Sequence, residues 1–131
     1  MAAPNIVNVA TITGITTFVS GISTISITTG VSTIVTNAAS SGKVLKINSL
    51  VATAIGDTTG VSVQLYNSAA QHTAAGATVS LASTMTVPLY SSLAVVDKSN
   101  SIYLEENTQI GVQAQSNAGD IDVVVSYEDI S

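Results

Sequence analysis

The chain has 131 residues, of which 46% are hydrophobic, and it carries a formal net charge of -5 with three basic residues and no cysteine. This length favours one domain with a core large enough to need no disulfide or metal for stability. The lack of cysteine excludes thiolate catalysis and cysteine-ligated metals. The shortage of Lys and Arg argues against nucleic acid and anionic membranes as partners, because both need several basic side chains.

The N-terminus lacks the features of an export signal. The opening MAAPNIVNVA has no basic segment and no unbroken apolar run. Thr, Ser and Gly interrupt every apolar stretch before it reaches the ~20 residues of a membrane span. We therefore expect a soluble protein that is made without an export signal.

Residues 1–42 form a tract without any side chain that is ionisable at neutral pH. Short runs of Thr, Ile and Val are separated by Gly14, Gly21 and Gly30, and β-branched residues favour strands. The tract predicts either two to four additional strands or an extended arm. Gly and Ser in residues 37–42 mark the best boundary, so we predict an uncharged arm or extra strands over 1–42 and a β-sandwich domain over 43–131.

From Lys43 onward, apolar and polar residues alternate as in half-buried strands. Residues 44–53 predict a strand with Leu45, Ile47 and Val51 on one face. Further strands are predicted over 61–66, over 79–87, where Pro88 ends the run, and over 93–96.

The stretch from Ser101 to Gln115 predicts a strand, an acidic turn at residues 106–108 and a second strand, about which the C-terminal half is organised. A last strand places Ile121, Val123, Val125 and Tyr127 on one face, with Asp122, Val124, Ser126 and Glu128 on the other. Short strands separated by turn residues indicate an all-β fold. We predict a two-sheet antiparallel β-sandwich, jelly-roll-like, with a β-rich N-terminal arm.

Catalytic residues are not expected in this sequence. His72 is the single histidine, so any histidine-dependent site must use it, but its neighbours form a loop of small polar residues without a nucleophile motif. No glycine pattern matches a phosphate-binding loop. We predict that the chain is not an enzyme and binds no cofactor.

Acidic residues in the C-terminal third raise the question of a cation site. Calcium needs six to eight oxygen ligands, usually from a loop with alternating acids and a glycine. The sequence offers parts of this pattern in Glu105, Glu106, Asp120, Asp122, Glu128 and Asp129. We predict solvated turns and strand edges and no metal site, with a structural cation as the alternative.

The threonines of the first tract suggest one further alternative, a flat array that orders water or binds ice, in which pairs such as Thr11 and Thr13 share a face. Because their spacing is irregular, we instead expect these threonines to lie on β-strands or on an extended arm that adds to a neighbouring subunit's sheet.

Four segments together resemble small virion structural proteins of T4-like marine cyanobacterial myophages. They are MAAPNIVNV at the start, NAASSGKVLKINSL from Asn37, VDKSNSIYLEE from Val96 and VSYEDIS at the end. The resemblance implies a non-enzymatic component of the virion, assembled in the host cytoplasm, and gives no catalytic residues.

The leading hypothesis is a capsid decoration or cement protein that binds and stabilises the assembled head. Its expected partners are the major capsid protein or other virion proteins and further copies of itself, with a trimer as one arrangement. The alternatives are a component of the neck, tail or fibres, and a carbohydrate-binding β-sandwich.

Overall fold

The computed structural model describes residues 9–22, 32–67, 78–115 and 121–131. These residues form nine strands and one short 3-10 helix at Lys98–Asn100. The strands are β1 (Ile12–Ile22), β2 (Ser32–Asn37), β3 (Val44–Ala54), β4 (Thr59–Asn67), β5 (Thr78–Val87), β6 (Ser92–Val96), β7 (Ile102–Leu104), β8 (Thr108–Ala114) and β9 (Ile121–Ile130).

The strands form two antiparallel sheets that pack face to face. The first sheet, sheet A, has the order β1-β9-β3-β6, and β7 pairs with β3 beyond the end of β6. The second sheet, sheet B, has the order β2-β8-β4-β5. If β6 and β7 are taken as one interrupted edge strand, this is the order of an eight-stranded jelly roll. The predicted fold class is confirmed.

Residues 1–42 contribute a strand to each sheet. β1 pairs with β9 in sheet A, and β2 pairs with β8 in sheet B. Ile22 and Val35 lie in the common core, only 4% and 3% exposed. The sequence predicts either additional strands or an extended arm for this tract, and its described residues form additional strands. The predicted boundary at Gly42 lies in the crossover between β2 and β3.

The core consists of the inward-facing aliphatic side chains of both sheets. Leu50 and Val125 from sheet A, with Val63 and Ile110 from sheet B, are fully buried. Each such side chain contributes about 1.5–3 kcal/mol through removal of apolar surface from water. The predicted inward face of the last strand is confirmed, since Ile121, Val123 and Val125 are all buried.

A bulge in β3 changes one predicted face. Ile47 lies opposite Tyr127 and Ser49 lies opposite Ser126, so Asn48 is an extra residue without a partner of its own. An extra residue reverses the alternation beyond it. Leu50 therefore points into the core, and Val51, which the sequence pattern placed with Leu45 and Ile47, points outward.

The stretch 101–115 does contain two strands around an acidic turn, but the strands do not pair with each other. β7 belongs to sheet A and β8 to sheet B, so the turn is an arch that crosses the sandwich. Asn107 in this turn has a φ of 63°, a left-handed conformation that asparagine tolerates better than most residues.

Hydrogen bonds at this end of the sandwich join the two sheets. The side-chain amide of Asn37, which ends β2 and is 2% exposed, donates to the carbonyl oxygens of Lys43 at 3.0 Å and Leu104 at 2.9 Å. Its own side-chain oxygen accepts a bond from the Ser41 hydroxyl. The Glu106 carboxylate accepts a bond from the Gly42 amide at 3.0 Å. The two crossovers between the sheets are thus held together by side chains.

We expect Asn37→Ala to destabilise the fold by about 2–4 kcal/mol, because it removes the side-chain hydrogen bonds with Lys43, Leu104 and Ser41 at a buried position. Thermal unfolding should show a fall in Tm of roughly 10 °C. Asn100→Ala is the matched control, since the side chain of this exposed asparagine accepts a local bond from the Asp97 amide, and its loss should cost at most about 1 kcal/mol. Equal costs for the two variants would contradict the cross-sheet role of Asn37.

Deletion of residues 1–42 should abolish cooperative folding of the remaining chain. The deletion removes β1 and β2, exposes one edge of β9 and one of β8, and opens the core beside Ile22 and Val35. Circular dichroism and thermal unfolding of the 43–131 fragment test this. A cooperative transition at the full-length Tm would show that residues 43–131 are an independent domain.

Candidate interaction surfaces

The residues considered for catalysis and cation binding do not come together in the described structure. His72 and Asp120 lie outside the described residues. Among the described residues, no group of three His, Cys, Asp or Glu side chains is placed to hold a metal ion.

Instead, most of the predicted acidic residues bond to different parts of the chain. Asp129 forms an ion pair with Lys43 at 3.0 Å, and Glu128 lies 3.9 Å from the ammonium group of Lys46. The Asp122 carboxylate accepts a bond from the Gly21 amide at 3.1 Å. Together with the bond from Gly42 to Glu106, these contacts hold neighbouring strands and crossovers together.

Asp97 caps the short 3-10 helix and has an altered pKa. Hydrogen bonds from the Ser99 hydroxyl and the Ser99 amide stabilise its carboxylate and lower its pKa below the usual value. The Asp97 amide in turn donates to the Asn100 side chain, which completes a capping box. The arrangement stabilises the connection between β6 and β7.

An apolar row crosses the outer face of sheet A. The strand register aligns Phe18 on β1 with Val124 on β9, Val124 with Val51 on β3, and Val51 with Ala94 on β6. Phe18 is 74% exposed and Val124 is 44% exposed. We call these four residues the apolar row.

Polar side chains border the apolar row on both sides. The register places Asp122 and Thr53 next to it in one direction, and Thr16, Ser126 and Ser49 in the other. An exposed apolar strip with a polar rim is typical of an interaction surface.

A second apolar feature lies where the edge strands β5 and β6 face each other. A groove of about 190 Å³ opens there, lined by Leu81, Ala82, Met85, Leu93, Ala94 and Val95. Met85 is 48% exposed, and Ala94 belongs to both the groove and the apolar row. Apolar surface therefore continues from the outer face of sheet A around its β6 edge.

The outer face of sheet B differs from that of sheet A in carrying a buried tyrosine. The Tyr66 hydroxyl on β4 forms a hydrogen bond with the Thr33 hydroxyl on β2, and β8 lies between these two strands. The Tyr66 ring therefore crosses β8. The strand register aligns Thr33 with Gly111 at this point, and the glycine leaves room for the ring because it has no side chain. Tyr66 is only 2% exposed. The aromatic residue on this face is thus buried and hydrogen-bonded, whereas Phe18 on the outer face of sheet A is exposed.

The threonines of β1 do not all face one way. Thr11, which immediately precedes the strand, and Thr13 are both exposed and lie on one side, but Thr17 lies farther along the same side and is partly buried. Thr16 lies on the opposite side, in line with Ile12 and Phe18. β1 therefore offers no continuous threonine surface.

The apolar row is not evident as a unit from the amino-acid sequence. Two signals were present: Phe18 is the one phenylalanine of the chain, and Val124 interrupts an otherwise polar strand face. The inclusion of Val51 depends on the bulge at Asn48 and could not be inferred from alternation alone.

No protein-family model matches this chain, and no curated protein matches it. Within the described residues, the structure contains no helix that is long and apolar enough to cross a membrane.

Proposed function

We propose that the chain is a non-enzymatic structural protein of a bacteriophage virion, and specifically a capsid decoration protein that binds the assembled head. The observation that supports this best is the apolar row on the outer face of sheet A. A face built from adjacent strands is broad and shallow, which suits contact with the surface of another protein better than enclosure of a small molecule.

The apolar row supplies the driving force in this proposal. Phe18 and Val124 project from adjacent strands, and each loses apolar surface to a partner at about 25 cal/mol per Å². Aromatic side chains that a partner buries often dominate the affinity of an interface. Phe18 is thus the anchor of the proposed contact, and Val124 supports it.

The net negative charge of the chain contributes to the choice of partner more than to the strength of binding. With a net charge of -5, the protein is drawn to a basic surface and repelled from acidic ones. Exposed acids such as Asp57 and Glu105 lie in turns outside the apolar row, where they steer the encounter. Basic residues on the shell protein are their proposed counterparts.

Decoration stabilises a shell by mass action. A protein that binds the assembled head and not its separate subunits lowers the free energy of the assembled state. Neighbouring copies then act together, because every bound copy favours the same state of the shell.

We predict that Val124→Lys weakens binding to heads by about 10- to 100-fold, because it places a charge within the apolar row. The assay is cosedimentation with heads that have been freed of this protein. Val79→Lys is the matched control: Val79 is 60% exposed but lies on β5, in the other sheet, so this variant should bind like the wild type. Unchanged binding of Val124→Lys, with its fold intact by circular dichroism, would contradict the proposed docking face.

A further inference from the structure

β1 is an edge strand whose free hydrogen-bonding groups can be assigned. Among the described strands, it pairs on one side only, with β9. Just before β1, Thr11 and Ser131 exchange both backbone bonds, at 2.9 and 3.0 Å. Because successive residues of a strand point their backbone groups to opposite sides, the odd-numbered residues of β1 bond to β9. The N–H and C=O groups of Ile12, Gly14, Thr16 and Phe18 therefore point away from the sheet.

This edge lacks the features that usually prevent strand pairing. β1 contains no charged residue and no proline. Its regular pairing with β9 extends from Ile12 to Val19, and an irregularity follows before Ile22. A stretch of eight regular residues is thus available as a template for another strand.

The nearby carboxylates are already engaged within the chain. Glu128 and Asp129 on β9 face Lys46 and Lys43, and Asp122 accepts the Gly21 amide. Two of the three acidic residues of β9 are thus balanced by lysines, while Asp122 keeps its charge beside Gly21, beyond the regular stretch of β1. A second copy of this chain therefore meets less repulsion along Ile12–Val19 than the net charge of the whole chain would cause.

The residue pattern of β1 is self-complementary about Ile15. Ile12 and Phe18 are each three residues from Ile15, and they are 60% and 74% exposed on the same outer face. In an antiparallel pair centred on Ile15, Ile12 lies opposite Phe18 of the second copy, and Gly14 lies opposite Thr16. In this alignment the free N–H and C=O groups of one β1 strand bond to those of the other. The outer faces of the two sheets A also lie on the same side of the combined sheet.

We propose that two copies of this chain associate through β1 in that register, about a two-fold axis at Ile15, to form one sheet that continues across the dimer. Ile12 of the second copy then extends the apolar row beyond Phe18. The contact is isologous, so it closes at two copies instead of propagating into fibres. The inference does not depend on the capsid proposal, because the purified chain is sufficient to test it.

The size of the contact sets its expected strength. An eight-residue strand is about 27 Å long, and an edge contact of this length falls below the roughly 800 Å² per partner of a standard stable interface. The dimer should therefore be weak, with dissociation in the micromolar range or above. Its population should rise with protein concentration.

Sedimentation velocity on the full-length protein tests the association. The wild type should shift from monomer to dimer as its concentration rises from about 5 to 500 μM. Thr16→Pro should stay monomeric, because its missing N–H pointed to the free edge and was not used within the sheet. Val79→Lys, on an edge of sheet B, should dimerise like the wild type. A wild type that remains monomeric throughout, or a Thr16→Pro variant that dimerises equally, would overturn the proposal.

Disulfide trapping tests the register, since the chain has no native cysteine. Ile12→Cys mixed with Phe18→Cys should form a covalent dimer on mild oxidation, because opposed Cα atoms in such a pair lie about 5.5 Å apart. Either variant alone places its cysteine opposite a residue that cannot form the bond, and should remain uncrosslinked. Crosslinking of the single variants as fast as the mixture would overturn this register.

Discussion

The pairing of β3 with β9 is the contact on which the rest of the structure depends. These two long strands run antiparallel from Val44 opposite Ile130 to Ala54 opposite Ile121. β1 is added to the free side of β9, while β6 and β7 are added to the free side of β3. The bulge at Asn48 sets which side chains enter the core over half of this ladder, and it turns Val51 outward. The register between β3 and β9 therefore determines which side chains of sheet A enter the core and which form its outer face.

The outer faces of the two sheets differ in how far their aromatic residues are exposed, and the proposed docking face follows from this difference. On sheet B, Tyr66 is buried and its hydroxyl forms a hydrogen bond with the Thr33 hydroxyl across β8. On sheet A, Phe18 and Val124 stay exposed although apolar residues of this size gain free energy from burial. On this face Lys46 lies beside Glu128, and the Gly21 amide donates to the Asp122 carboxylate that borders the apolar row. A partner that covers sheet A thus removes apolar surface from water, and it must leave the Asp122 carboxylate hydrated or supply it with a donor, because desolvating an unpaired charge is costly.

Much of the fold could be predicted from the sequence, because alternation reports which side of a strand is buried. The inward residues of β4 and β9 follow this rule directly. Alternation does not show where an extra residue enters, so Val51 was assigned to the wrong face. It also does not distinguish a hairpin from an arch, since β7 and β8 bury one face in either case. The apolar row and the contact of Tyr66 with Thr33 unite residues far apart in the chain, and they become visible only once the cross-strand register is known.

The most direct test of the proposed role is the copy number of this protein in purified virions, measured by quantitative mass spectrometry relative to the major capsid protein. A decoration protein occupies sites that repeat over the whole head, so the account predicts a ratio of the same order as the shell protein. A few copies per particle would contradict the decoration role and favour a position at the neck, tail or fibres. Absence from the particle would contradict the assignment to a virion altogether.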